Sequence, residues 1–400
     1  MDAFYASVEL LRYPELKGMP VVIGGGSRQQ PVWENDPATG AQRRRFARLG
    51  DYAGRGVATT ATYEARAFGV HSAMGLMKAA QKAPDAILLP TDFEQYRLYS
   101  RLFKAAVRAI APQVEDRGID EIYIDLTELV AARLASDGEA AEGDPTDGDS
   151  SRNETGSASE HGQPDVWWSA REIAEELKRA VRDATGLSCS IGLAPNKLIA
   201  KIASELDKPD GLVIITPAEI ESRLWPMPVR RLHGVGPKSA AKLARLGIAS
   251  IGELALADPA MLAANFGNAN AAWMHAAAHG RDQRAVVMFS EPKSMSRETT
   301  FDHDLHAVRD RAKLSQIFTA LCTEVADDLR RQHYAGKTIG IKLRFEDFKT
   351  VTRDNTLPAP TDDAEQIRRA AGECLKRVDL TKRIRLLGVR AGSLTPTSAS

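Results

Sequence analysis

Two short β-type runs, "VEDRGID" and "EIYIDLTEL", meet at Asp120-Glu121, and a segment of helical character stands on either side of them. The upstream helix is expected near Tyr96–Ile110. The downstream one, "VWWSAREIAEELKRAVRDATG", places Ile173, Leu177, Ala180 and Val181 on one face and ends at Gly186. "LSCSIGLAP" then alternates as a strand, while "MDAFYASVEL" at the start reads as the second half of a strand running into a helix. The resulting order, β–α–β–β–α–β, is a ferredoxin-like split with Glu9–Pro90 inserted after its first strand. The fold class expected is α+β.

Two stretches interrupt this pattern. From Leu134 to Asp165 nine acids face one base, Arg152, and large apolar residues are almost absent. Such a segment buries too little surface to offset its ordering entropy, so a disordered acidic insertion is expected over 134–165. The chain's formal net charge is zero, so the remainder carries +8 and suits a polyanionic partner. The second stretch, 24–56, reads as an enlarged loop between "PVVIGG" and "VATTATY". Cys189, Cys322 and Cys374 form no CxxC pair, which argues against a disulfide framework or structural zinc. No apolar run approaches the ~20 residues that cross a bilayer, and no basic-then-apolar leader is seen at the start. A cytoplasmic protein without membrane partners is expected.

Downstream, "LHGVGPKSAAKLARLGI" reads as a helix, a glycine turn and a second helix. Gly234 and Gly236 would let backbone amides approach a phosphate, with a plain αα-hairpin as the alternative. A last domain holds the β-type runs "KTIGIKLRF" and "IRLLGVRAGSL"; from Lys293 to Leu394, 20 bases face 15 acids. Lys337, Lys342 and Arg344 on or beside a strand suit a sugar-phosphate backbone, although a solvated strand face has the same look.

Asp120 and Glu121 offer the hard oxygens that Mg²⁺ prefers. In "TTATYEARAFGVHSAM", Tyr63 and Arg66 are three apart, on one face of a helix start, and can grip a phosphate together with Thr60. Lys208 stands just past a helix in "NKLIAKIASELDKPDGL", placed to reach a triphosphate. A carboxylate pair, a Tyr/Arg clamp and a helix-hairpin-helix in this order point to nucleotidyl transfer on DNA. A helix-hairpin-helix nuclease would need further clustered acids.

"MDAFYASVE", "ATYEARAFGVHSAM", "GIDEIYIDLT", "GLAPNKLIAKIASELDKPDGL", "LHGVGPKSAAKLARLGI", "KSMSRETTF" and "IRLLGVRAGSL" together resemble the Y-family translesion DNA polymerases of the DNA polymerase IV type, from Met1 to about Leu394. The resemblance implies a multidomain right hand. Its ferredoxin-like palm would comprise 1–8 and 92–215, its small fingers 9–91, its helical helix-hairpin-helix thumb 216–284, and its α/β little finger 293–394, with a linker at 285–292 and a tail at 395–400. Asp120 and Glu121 would be catalytic and, with the Met1 carbonyl, would hold two Mg²⁺ ions. Thr60, Tyr63, Arg66 and Lys208 would contact the incoming deoxynucleoside triphosphate, Phe4 would offer it a backbone amide, and Tyr5 would be the steric gate against a ribose 2′-hydroxyl. Gly234, Gly236 and Lys238 would bind DNA. Primer-template DNA is the implied partner and a monomer the implied state; the tail shows no sliding-clamp box.

Two departures stand out. The family's first strand reads roughly V-D-M-D-x-F, and its first Asp binds both metals. Met1 and Asp2 match the "M-D", so that Asp would stand one position before Met1. Asp2 lies ~6.6 Å further along a strand, too far to replace it at Mg–O distances of ~2.1 Å. Either the sequence starts at an internal methionine, the preferred reading, or it is a metal-deficient copy that binds primer-template without extending it. As written it is expected to extend primers poorly. The second departure is Gly118, where the family usually has Ser.

Overall fold

The computed structural model describes residues 1–35, 40–142 and 166–397. Two compact units are present, one of Met1–Tyr52 with Gly56–Phe289 and one of Ala53–Arg55 with Ser290–Ser400.

The first unit opens with helix α1 (Phe4–Arg12), strands β1 (Val21–Gly25), β2 (Val32–Asn35), β3 (Gln42–Arg45), β4 (Ala47–Arg48) and β5 (Thr60–Ala61), helices α2 (Tyr63–Ala67) and α3 (Leu76–Lys82), and strand β6 (Ile87–Pro90). Strands β4, β6, β1 and β5 form one sheet in that order. Val21, Val22, Ile23, Leu88 and Leu89 in its two central strands are fully buried, which is what the apolar runs "PVVIGG" and "ILLP" require. The expected loop at 24–56 is partly regular: β2 and β3 pair antiparallel.

Next come α4 (Phe93–Ile110), β7 (Val114–Asp116), β8 (Ile122–Ile124), α5 (Thr127–Glu142), α6 (Val166–Thr185), β9 (Ile191–Leu193), α7 (Lys197–Ala203) and β10 (Leu212–Ile214). The helices fall where periodicity placed them, and Ile173, Leu177 and Val181 of α6 are buried. The sheet differs from expectation. It is two separate pairs, β7 with β8 and β9 with β10, and β10 has no counterpart in the expected pattern. Nor is the N-terminal segment a strand: α1 begins at Phe4, after Ala3 at φ 40°. Met1 and Asp2 instead stitch the two pairs together. The Met1 ammonium donates to the Asp120 carbonyl at 2.9 Å, and the Asp2 N–H donates to the Ser188 carbonyl at 3.3 Å. Below Met1, β8 and β9 flank a largely apolar cavity of 330 Å³, lined also by Val107, Leu177 and Val181.

Residues 134–142 also depart from the expected insertion: they continue α5, because Ala, Leu and Glu dominate there and are strong helix formers. The rest of the acidic segment, 143–165, lies outside the described residues.

The unit ends with α8 (Pro237–Arg245), α9 (Ile251–Ala255), α10 (Pro259–Phe266) and α11 (Asn268–Ala278). Within 232–248 there is one α-helix rather than two. The turns before it, at Pro217–Glu219, Ile220–Leu224 and Val229–Arg231, are short 3₁₀ or π segments. Pro226 and Pro228, with no N–H to donate, interrupt any longer helix there.

The second unit contains β11 (Ser294–Leu305), α12 (Arg311–Arg331), β12 (Tyr334–Phe345), β13 (Thr350–Thr361), α13 (Ala364–Leu375) and β14 (Ile384–Pro396). Its antiparallel sheet has the order β11-β14-β12-β13. Ile339, Ile341, Leu343 and Phe345 pack with Val325, Leu329 and Ile367 of the helices in one core. Lys342 and Arg344 alternate to the other face, where Lys342 pairs with Glu298 at 2.8 Å and Arg344 donates to Thr350 at 3.1 Å. Lys337 is exposed at a break in register. β14 runs two residues past the expected end at Leu394. No helix among the described residues is long and apolar enough to cross a membrane.

Candidate active site

One cleft of 240 Å³ is lined by Met1, Phe4, Tyr5, Thr60, Tyr63, Arg66, Asp120 and Lys208, together with Ala3, Thr59 and Ser72. It gathers every residue expected to touch a triphosphate, from four separate parts of the first unit. Thr62 makes the local turn possible, capping α2 by accepting from the Ala65 N–H at 3.4 Å. Tyr63 and Arg66 therefore start the helix at the cleft wall. The Arg66 guanidinium lies 5.0 Å from the Tyr63 ring centroid and donates to the Ala61 carbonyl at 3.0 Å and to Thr60 Oγ1 at 3.4 Å. The clamp is thus pre-oriented before any ligand arrives.

The Tyr63 hydroxyl is buried with no hydrogen-bond partner among the described residues. Burial first, then the charge of Asp2, pushes its pKa up to about 12, so it is a donor in need of an acceptor. A bound phosphate oxygen would supply one. Phe4 and Tyr5 open α1, whose first N–H groups have no intrahelical acceptor. Phe4 itself is buried core. The Tyr5 ring is stacked on Tyr96 at 4.2 Å and 21° and meets the edge of Phe93 at 5.9 Å. Tyr96 is in turn held by its hydroxyl, which donates to Glu9 at 2.7 Å. A ring fixed from two sides can fill a set volume.

Asp120 and Glu121 follow Gly118 at φ +154°, a conformation a serine adopts only with strain. Burial raises the Asp120 carboxyl; the Met1 ammonium opposes this and Glu121 adds to it. Burial also acts on Glu121, but there the Lys201 hydrogen bond at 2.5 Å and the charges of Lys201 and Lys208 outweigh it, lowering the carboxyl. Lys208 pairs with Glu205 at 2.9 Å. Glu121 lines the adjoining cavity below Met1 rather than this cleft; Asp120, Met1 and Lys208 line both.

Two carboxylates with a triphosphate suit one Mg²⁺ ion, which commonly takes one or two protein carboxylates plus phosphate oxygens. A second ion finds less: no group of three His, Cys, Asp or Glu side chains able to hold a metal occurs among the described residues. Asp2 does not fill the gap. It is 2 % exposed, and its carboxylate accepts from Ser188 Oγ at 3.0 Å, Ser190 Oγ at 2.7 Å and the Asp210 N–H at 2.9 Å. Asp2→Ala would strand two hydroxyls and an amide, at about 3 kcal/mol in total; the expected result is a lower urea midpoint with faster proteolysis, and an unchanged midpoint would contradict this.

Gly234, Gly236 and Lys238 lie apart from the cleft. Gly234 has φ +118°, and a Cβ on it would meet the Trp273 ring at 2.6 Å. Only glycine fits there. Gly236 caps α8, and Lys238 is exposed in its first turn. A cation there opposes the helix dipole unless an anion is present. Sequence reasoning missed Lys201, the partner of Glu121. Its position four residues before Glu205 was the available signal, because such spacing puts a cation on an acidic helix face.

The impB/mucB/samB family model matches residues 1–205, the model of its C-terminal domain residues 292–400, and that of the IMS family HHH motif residues 217–248. The chain belongs to the impB/mucB/samB family. Its relatives include the DNA polymerase IV of Streptomyces coelicolor, 39% identical over 98% of this chain and 70% of the relative. The DNA polymerase IV of Desulfatibacillum aliphaticivorans is 35% identical over 100% of this chain and 85% of its own. That of Methanoculleus marisnigri is 35% identical over 98% and 92%. A solved Y-family DNA polymerase chimera shares the fold, with a TM-score of 0.75 and 23% identity, over 99% of this chain and 98% of its own. The resemblance read from the seven motifs therefore holds along the whole chain. The family's HHH motif, beginning at 217, takes its first helical part from the short turns upstream of Leu232.

Proposed function

We propose that this family member is a template-directed, error-prone DNA polymerase of the translesion type, joining a deoxynucleotide from its triphosphate to a primer 3′-hydroxyl. Support comes chiefly from the cleft in which the oriented Tyr63–Arg66 clamp, the open first turn of α1, Tyr5, Lys208 and Asp120 converge, with the Tyr63 hydroxyl lacking any protein acceptor. Arg66, Lys208 and Tyr63 bind the triphosphate and offset its charge. The Phe4 and Tyr5 amides add donors at a helix N-terminus. Tyr5, braced by Tyr96, lies under the sugar. Asp120 and Glu121 would hold Mg²⁺, which when bound would neutralise charge developing on the transferring phosphate. Lys201 keeps Glu121 ionised and oriented for that role.

Primer extension with Mg²⁺ and a templated deoxynucleotide tests the reading; no incorporation under any divalent cation would reject it. Tyr5→Ala opens the volume of the ring, so ribonucleotide discrimination is expected to drop on the order of 10²-fold, about 3 kcal/mol. Competing deoxy- and ribonucleotides on one template measures this, and unchanged sugar selection would remove Tyr5 from the gate. One observation favours a second reading, a catalytically silent primer-template binder: among the described residues no group of three His, Cys, Asp or Glu side chains could hold a metal. Metal-dependent incorporation separates the two, whereas DNA affinity does not.

A further inference from the structure

We propose that the ribbon of β2 and β3 is a binding surface for single-stranded DNA, reached by the template strand beyond the cleft. The proposal rests on the polymerase reading and adds to it a site outside the triphosphate cleft. From Ser27 to Arg48 five arginines face two acids. The register pairs Val32 with Arg45, Trp33 with Arg44 and Glu34 with Arg43. Opposed residues share a face, so Arg43 and Arg45 lie together on one side, with Glu34 between them. That one carboxylate meets both cations, at 3.4 and 3.0 Å.

The other side carries an aromatic stack. The Arg44 guanidinium lies 4.6 Å from the Trp33 ring centroid and 5.2 Å from that of Tyr13. It is anchored further by Glu15 at 3.0 Å. The stack Tyr13–Arg44–Trp33 ends on an indole that is still 60 % exposed. A two-stranded ribbon is marginal by itself, and an exposed tryptophan at its edge buries little to support it. Guanidinium groups for phosphates beside a ring that any base can stack on are what single strands require. An acidic protein would satisfy the arginines but has no use for the open indole face.

Placement agrees. α1 has Tyr5 at the cleft and Tyr13 just past its other end. Eight residues of helix span roughly 12 Å, a distance that a few nucleotides of single strand leaving the cleft can cover.

The test uses the whole chain and fluorescence anisotropy on two primer-templates, with template overhangs of twelve nucleotides and of one. The variant carries Trp33→Ala, Arg43→Ala and Arg45→Ala, keeping Arg44. Its affinity for the long overhang is expected to fall roughly tenfold, and the slope of log affinity against log salt to become shallower by about 1.4, two lost contacts at ~0.7 each. Short-overhang affinity and single-nucleotide incorporation stay unchanged. Trp33→Phe alone, which keeps a stackable ring and a minimal risk to folding, stays near the parent. Unchanged long-overhang affinity, equal losses on both substrates, a parent that gains nothing from the longer overhang, or polyglutamate competing as well as an oligonucleotide would each overturn the proposal. A parent that shows the overhang effect yet incorporates nothing defeats the polymerase reading and leaves the ribbon standing.

Discussion

Asp120→Asn lowers Mg²⁺-dependent primer extension by roughly 10³-fold or more, an effect of about 4 kcal/mol on the barrier, while primer-template affinity stays the same. The substitution keeps shape and replaces an anionic oxygen with an amide. Asp120 lines both the cleft and the cavity beneath it, and among the described residues no other carboxylate lines both. Burial already disfavours its charge, and the adjacent acid, Glu121, is engaged with Lys201. Incorporation rates and binding curves measured on the same variant separate a lost metal ligand from lost DNA contact. A rate within tenfold of the parent would show that Asp120 does not hold the metal.

Placing Val-Asp immediately ahead of Met1 raises the extension rate by about 10²-fold or more, several kcal/mol of transition-state charge stabilisation being the scale of a completed metal site. The Met1 nitrogen sits 2.9 Å from the Asp120 carbonyl. As a peptide N–H it still donates there, while its positive charge is removed and a carboxylate is added beside Asp120. The valine enters the apolar cavity between β8 and β9, where burial favours it. Val-Asn added at the same place is the control: it lengthens the chain equally without the anion and is expected to gain little. Equal rates for the two extended forms would mean that a third carboxylate is not what limits the chemistry.

Several residues lining the cleft were legible because short motifs carry their own chemistry. Tyr63 and Arg66 are three residues apart, and a helix start with Thr62 at its cap holds them on the cleft wall. Asp120-Glu121 sits at a strand junction whatever surrounds it. The helices α4 and α6 were legible from period alone. Other features were hidden. The ribbon of β2 and β3 looks like a loop in sequence, because "QRRR" has no alternation of apolar residues to mark a strand. The tail of α5 was masked by the acids that follow it. That Asp2 is held by three donors, one of them 208 residues away, had no signal in the sequence.

From the amino-acid order alone came the chemistry on offer: a carboxylate pair, a Tyr/Arg pair suited to a phosphate and an α+β chain of several parts, the gate role of Tyr5 being implied only by the family resemblance. Tertiary structure alone decided which of these share a cleft, that Tyr5 is braced by Tyr96, that Lys201 engages Glu121, and that two short strand pairs replace one sheet. The reason is physical. Side-chain type and local spacing are properties of neighbours in the chain, whereas contacts such as Met1 to Asp120, 119 residues apart, exist only once packing has brought distant segments together.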